Sequence, residues 1–369
     1  SMGFEGHDFP GHGGNGAGFS EFKEWLQKKG YDEYKSKDWQ EDGERFFGGA
    51  KELDLPTEAT VPAFLVDSTI DLIEKFETDD DPYFISLNFW GPHGPYEATS
   101  EFVEIYRDKE IPPWSNYEWP STSINGPHHM KVFQEHSNME WKDWETVIKY
   151  YYARTSMIDS QIGRLIQHLE ENNELENTVL IFTADHGETL GSHGGLKDKG
   201  WHHFEETHRI PMIIRLPDSI QKELESETKG IKRDKFTSLA DIYPTILDLA
   251  GGYYEKEEIH GRSLIPLIKD KTVEWRDAIV TEFLGLGSVA TTMKTIRKDN
   301  IKYGANLSGA RDELYDLEKD PNETNNVIDD PQYQEDLKEM RQELQKWMEN
   351  TNDPALRMYK WYLTTKEQE

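Results

Sequence analysis

Val179-Leu180-Ile181-Phe182-Thr183-Ala184-Asp185-His186-Gly187-Glu188-Thr189-Leu190-Gly191-Ser192-His193-Gly194-Gly195 is the stretch on which the fold turns. Its first four residues are an apolar run that reads as a buried strand. A carboxylate and an imidazole follow where that strand gives way to a glycine-rich loop. In open α/β sheets ligands bind there, beyond the carboxyl ends of the strands. Asp supplies a hard oxygen donor and His a borderline nitrogen donor, so Asp185 and His186 can both turn toward one divalent cation. Lys199, farther along the same loop, can hold an anion beside it. Taken alone, Asp-His-Gly is as well explained by a polar loop after a core strand. The gathering of His186, His193, His202, His203 and His208 before Arg209 favours a site, because imidazoles suit metal binding and proton transfer near neutral pH.

A second passage repeats the order of helix, strand and loop. Ala63, Val66, Ile70 and Ile73 recur at helical spacing within 57–76, and Tyr83-Phe84-Ile85-Ser86-Leu87-Asn88-Phe89-Trp90 reads as a strand covered on both faces. At its end stands Gly91-Pro92-His93-Gly94-Pro95-Tyr96, where two prolines and two glycines restrict the backbone around one imidazole. A lone His in a turn is usually a surface residue. His93 leaves the end of a strand as Asp185 does, which makes a shared site the sharper reading. Ile148, Tyr152, Ile158, Ile162, Leu165 and Leu169 then mark a helix over about 144–171 that feeds the strand at Val179. Repetition of this order is the signature of a mostly parallel sheet flanked by helices, an α/β fold.

Farther on, 210–216 reads as another strand with Pro211 at its start, and 236–251 as a passage into a helix capped by Asp241 and stopped by Gly251. The segment 112–136, rich in Pro, Trp and His, reads as an excursion near the site. From about Val273 the texture changes to short apolar stretches at 278–280, 293–296 and 312–317 and a charged helix over 331–350. This predicts a core over 1–272 and a C-terminal α+β subdomain over 273–369, a small antiparallel sheet with a helix that carries no chemistry of its own.

The chain has 369 residues, with 41 Lys and Arg against 71 Asp and Glu, a formal charge of −30. That balance argues against a nucleic-acid partner and offers no long-range attraction to an anion. Any anion site must therefore be local. No run of about eighteen apolar residues occurs, so no membrane span is expected. The absence of cysteine excludes disulfides, thiolate metal sites and a thiol nucleophile within the chain without choosing a compartment, and a soluble protein could be cytoplasmic or exported. Ser1-Met2 resembles the remnant of a removed tag, so the natural start is expected elsewhere.

In order along the chain, the segments 89–96, 156–165, 185–200, Phe204 to Pro211, Asp241 to Thr245, His260 to Leu264 and 313–321 resemble the carboxyl-terminal two thirds to three quarters of a sulfatase of the alkaline-phosphatase-like superfamily. Each alone is weak; their succession over nearly the whole chain is specific. The resemblance implies that Asp185 and His186 are metal ligands, that Lys199 contacts the transferred sulfate, and that His93 contacts the sulfate or the leaving oxygen. Such contacts suit the chemistry, because cleavage of a sulfate ester places negative charge on the departing oxygen and the sulfuryl oxygens. His193, Trp201 and His202 are candidates either for substrate contacts or for shaping the loop. The expected metal is Ca2+, with Mn2+ or Mg2+ as alternatives, and the expected substrate a sulfated small molecule or sugar.

The chain departs from the family in lacking three features that sulfatases carry upstream of the region matched here: a paired Asp-Asp for the metal, a Cys- or Ser-x-Pro-x-Arg segment whose first residue becomes the formylglycine nucleophile, and a Gly-Lys-Trp-His segment. The resemblance places these in an N-terminal part, absent here or supplied by a partner chain, and implies that this polypeptide alone is inactive. Two other readings follow from the same residues. One is a phosphodiesterase or phosphonate monoester hydrolase of the same superfamily; the other is a noncatalytic metal-binding remnant.

Overall fold

A computed structural model describes residues 18–31, 49–77, 81–119, 139–199, 202–223, 230–256, 259–285, 292–309 and 311–366. Trp201, the opening residues 3–17 and much of the 112–136 excursion lie outside the described residues. The fold is mixed α/β and divides into two compact units, Ser1–Pro113 with Asn138–Asn177, and Trp114–Ser137 with Thr178–Glu369. The change of texture at 272–273 falls inside the second unit.

The first unit is built around the helix Trp141–Glu171. Its apolar residues recur at helical spacing, and Trp144, Val147, Ile148, Ala153 and Met157 are buried. Glu140 caps its start: its side chain accepts from the N3 backbone, and Asp143 reciprocates to the Glu140 N–H. Beside it lie the helix Val61–Phe76 and a parallel pair of short strands, β1 (Ala50–Leu53) and β2 (Tyr96–Thr99), with Ala50 opposite Tyr96 and Leu53 opposite Thr99. All four residues of β2 are buried. A smaller apolar group, Phe22, Leu26, Ala59, Val61 and Phe64, ties the helix Ser20–Lys28 to the start of Val61–Phe76.

Residues 82–90 correct one expectation. They form no strand, and their side chains alternate between half-buried and exposed, with Phe84 at 51% exposure. Apolar composition supplies the β tendency, but a strand exists only when a neighbour accepts its backbone groups, and no described strand pairs with this run. The parallel strand of this region, β2, therefore follows His93 instead of preceding it.

In the second unit β3 (Leu180–Thr183) pairs with β4 (Met212–Arg215) antiparallel, with Pro211 just ahead of β4, where its missing N–H costs no ladder bond. β3 is less buried than its apolar sequence implies. Phe182 and its cross-strand partner Ile213 are 46% and 63% exposed on the same face. The predicted C-terminal sheet is present as a four-stranded antiparallel sheet, β5 (Ala278–Phe283), β6 (Met293–Lys298), β7 (Ile301–Asn306) and β8 (Glu313–Asp316), in that order. The helix Gln334–Asn350 covers it through Leu337, Met340, Leu344 and Met348, joined by Tyr359 and Tyr362 of the helix Leu356–Lys366. Asp241 is not the simple cap expected. It is fully buried, accepts two bonds from Arg276, and receives the N–H of Ser238 and Arg262, while Ser238 caps the turn leading into the helix Ile242–Leu249. Among the described residues no helix is long and apolar enough to cross a membrane.

Candidate functional site

His93 belongs to the first unit, and Asp185, His186, His193, Lys199 and His202 to the second. In the first, Gly91-Pro92 and Gly94-Pro95 are both cis. The His93 Nδ1–H donates to the Gly94 carbonyl at 2.8 Å, which puts the lone pair of the neutral ring on Nε2. Trp90 donates its indole N–H to the same carbonyl at 3.3 Å and lies 4.9 Å from the imidazole between ring centres. From beneath, the buried Arg154 on the helix Trp141–Glu171 donates to the carbonyls of Pro95 (2.9 Å) and Glu97 (3.3 Å). Gly91 lets these side chains come close: a Cβ there would stand 2.5 Å from Arg154 Nε and 2.6 Å from Ile158 Cδ1, so both would have to shift.

The second unit repeats the imidazole arrangement. His186 Nδ1–H donates to the Gly187 carbonyl at 2.7 Å, again leaving Nε2 as the acceptor of the neutral ring. Asp185 is 84% exposed; its Oδ1 accepts the His186 backbone N–H at 3.0 Å and its Oδ2 lies 3.6 Å from His186 Nε2. Two donors at that spacing suit neighbouring positions on one cation with bonds of about 2.0–2.5 Å. The pair therefore fits a divalent metal as two donors, although no group of three or more candidate ligands occurs among the described residues.

The loop then folds back on itself. Gly187 and Glu188 donate their N–H groups to the carbonyls of Thr207 and Glu206, each at 3.0 Å. A Cβ on Gly187 would lie 1.9 Å from the Glu206 oxygen, so only glycine fits this contact. Burial pushes the Glu188 carboxyl up, and nearby Asp198 adds to the shift; this side chain accepts from the N–H of Thr189 (3.1 Å) and of Asp198. Lys199 is thus brought next to the Glu188 end of the loop, with Nζ 3.2 Å from Asp198 Oδ1 and about a quarter of the side chain exposed. Leu190, His193 and Asp198 all adopt positive φ, a backbone state that costs a non-glycine residue about 1–3 kcal/mol and tends to occur at functional loops.

His193 is fully buried. It stacks on Phe204 at 3.4 Å between ring centres, meets the edge of Trp119 at 5.2 Å, and places Nδ1 3.3 Å from Asn116 Nδ2 and 3.5 Å from Glu206 Oε1. Burial drives its pKa down to about 4 against the pull of Glu206, so it is neutral at pH 7. His202, 4% exposed, stacks on the same Phe204. Both imidazoles are thus packed on Phe204 inside the unit. Trp114 donates to the Leu190 carbonyl at 2.8 Å and Trp119 to the Thr324 carbonyl at 2.7 Å. Trp114, Asn116 and Trp119, which fall in the 112–136 segment expected near the site but do not stand out individually in the sequence, support the loop together with Phe204 and Glu206 of the family-like segment 204–211.

This α/β chain, in which a strand runs out into an Asp-His pair and a four-stranded antiparallel sheet forms the C-terminal part, shares the alkaline-phosphatase-like class of the sulfatases it matches. The sulfatase family model matches residues 3–253, and a model described as N-sulphoglucosamine sulphohydrolase, C-terminal, matches 191–350. The chain belongs to the sulfatase family. It is 28% identical to an arylsulfatase of Clostridium perfringens over 79% of its own length and 58% of that protein. It is 31% identical to an N-acetylglucosamine-6-O-sulfatase of Bacteroides thetaiotaomicron over 70% of its length and 46% of that protein. The chain thus spans about half the length of these relatives. Among solved structures, a phosphonate monoester hydrolase of Agrobacterium radiobacter superposes with a TM-score of 0.72 at 24% identity, covering 90% of this chain and 69% of that one, a likeness of fold.

Proposed function

We propose that this chain carries the Asp185, His186, Lys199 and His93 part of a hydrolase that cleaves sulfate esters of small molecules or sugars. The observation that carries the reading is the Asp185–His186 pair: its imidazole is locked by the Gly187 carbonyl with Nε2 3.6 Å from the carboxylate, on the loop that also bears Lys199. Asp185 and His186 would hold a divalent cation, with Ca2+ the first choice and Mn2+ or Mg2+ as alternatives. When bound, that ion supplies Lewis-acid stabilisation of sulfuryl oxygen charge.

The remaining steps belong to the protein's own groups. The Lys199 ammonium neutralises a second sulfuryl oxygen, held in place by Asp198. The His93 ring, steered through Nδ1, presents Nε2 either to bind the sulfate or, once protonated, to donate to the departing oxygen. His193 and His202 hold the loop and are not needed for contact with substrate. A sulfated amino sugar is favoured as substrate by the chain's likeness to the N-acetylglucosamine-6-O-sulfatase of Bacteroides thetaiotaomicron and to the N-sulphoglucosamine sulphohydrolase C-terminal family. The chain has neither a cysteine nor a Ser-x-Pro-x-Arg segment to provide the family's nucleophile, so we expect no turnover from it alone and weak metal binding.

The test is an assay of the chain, and of a longer form carrying such a segment, on 4-nitrophenyl sulfate, a phosphonate monoester and a phosphate diester. Sulfate cleavage by the longer form, lost on chelation, is the expected result. Preference for the phosphonate ester with sulfate untouched would replace this reading by that of a phosphonate monoester hydrolase, whose fold the chain shares.

A further inference from the structure

The segment His203–His208 has two faces with different tasks. On one, the carbonyls of Glu206 and Thr207 receive the N–H groups of Glu188 and Gly187, immediately after His186. On the other, the same few residues grip three strands of the C-terminal sheet. His203 meets Thr295 of β6 and Asn306 of β7, and packs so closely over Gly304 that a Cβ there would fall 2.5 Å from its ring. Glu205 accepts from Arg297 of β6 at 2.5 Å and from Lys302 of β7 at 3.2 Å, and its backbone N–H is bound by Glu323 at 2.6 Å. His208 lies 3.1 Å from Thr281 of β5.

At the centre is Lys302, 1% exposed, paired with both Glu205 and Glu323. Glu323 is itself fully buried and held at φ +51°. A buried ammonium between two carboxylates contributes little net stability compared with an apolar core. Removing it strands the acids in a medium that cannot solvate them, and so displaces whatever they hold. What Glu205 and Glu323 hold is the start of the turn whose next two carbonyls carry the site loop.

We propose that Lys302 is a positioning residue, and that the C-terminal sheet, through the Lys302–Glu323–Glu205 cluster, sets the backbone at Gly187–Glu188 and with it the aim of Asp185 and His186. The sheet is then part of the site's machinery without touching substrate. The inference rests on reading Asp185 and His186 as the metal pair only for its consequence, not for the coupling itself.

The test follows amide hydrogen exchange at Gly187 and Glu188 in the full chain for Lys302→Met, Lys302→Arg and Glu205→Gln, together with the Ca2+ concentration that half-shifts the His186 ring nitrogens in NMR spectra. Lys302→Met should speed exchange at those two amides by about tenfold or more, beyond any change at Ile296 and Tyr303 inside the sheet, and raise the Ca2+ midpoint. Lys302→Arg should restore both, since it keeps the charge and the donors. Should Lys302→Met fail to fold, Glu205→Gln carries the test, with the same direction and a smaller change. Unaltered exchange at Gly187 and Glu188 in folded variants would overturn the proposal, as would equal loss of protection throughout the sheet. A wild-type His186 that ignores Ca2+ while the exchange pattern holds would sink the metal reading and leave the coupling standing.

Discussion

The turn at His93 and the loop at Asp185–His186 solve the same problem by different means. In each, an imidazole donates Nδ1–H to the carbonyl of the glycine that follows it, which leaves Nε2 as the acceptor of the neutral ring. The first is held by near neighbours in sequence, Trp90, Gly91 and Gly94, and by one buried guanidinium beneath. The second is held by a backbone ladder to 206–207, by side chains from 114–119, and through Glu205 by the C-terminal sheet. A turn fixed locally tolerates changes elsewhere. A loop fixed by remote partners can be adjusted by them, at the risk of failing with any one.

If both imidazoles and Lys199 serve one reaction, the largest effects should come from the reacting groups. In an active longer form, Lys199→Met and His93→Ala should each lower turnover of a sulfate ester by about 10²–10³-fold, the range for removing one preorganised charge-stabilising donor. Circular dichroism should show both variants folded. Loss from Lys199→Met alone would leave the first turn as scaffold and break the functional half of the comparison.

The two regions also differ in how much of them the sequence discloses. His93 and Asp185-His186 stood out because glycine, proline and an apolar run adjoin them, and the helices ending at Phe76 and Glu171 followed from their 3.6-residue period. The supports of the second loop did not stand out, since Asn116 meets His193 and Glu206 from 77 and 90 positions away. β7 is hard to read for a related reason: Ile301-Lys302-Tyr303-Gly304 puts a lysine and a glycine where a strand should show apolar side chains, and remote carboxylates, Glu205 and Glu323, make that lysine's burial tolerable. Tyr83–Trp90 erred the other way, apolar enough for a strand yet without a described neighbour.

Strain from an added methyl group probes the same contrast. Gly187→Ala would drive a Cβ into the Glu206 backbone oxygen, which cannot yield without opening the ladder, and should cost about 3 kcal/mol. Urea unfolding measures it. A cost below about 1 kcal/mol would mean that the ladder is dispensable.

Acid should separate the regions next. Folding holds His193 at a pKa near 4 instead of 6.5, so between those values the unfolded chain binds more protons and stability falls as pH drops. Lowering the pH from 7 to 5 should remove about 2 kcal/mol through this residue. Glu313 opposes it, because burial raises its carboxyl to about 8; its folded form favours the proton, and its contribution is lost as pH rises from about 4.5 toward 8. The His193 share is isolated by subtracting the pH dependence of His193→Gln from that of the wild type. Parallel curves for the two would show that the buried ring is not what acid attacks.

The smallest effect belongs to Gly91→Ala. Here the new methyl group would meet Arg154 Nε and the tip of Ile158, side-chain atoms that can move by rotation, in contrast to the carbonyl facing Gly187. Arg154 must nevertheless keep its bonds to Pro95 and Glu97, so part of the strain stays, and a cost of about 1 kcal/mol is expected. The ratio of the two alanine penalties, measured under one set of conditions, gauges how much stiffer a backbone contact is than a side-chain contact at otherwise matched imidazole turns. Equal penalties would show that Arg154 is as immovable as a peptide carbonyl, making the first turn as dependent on its remote partner as the second.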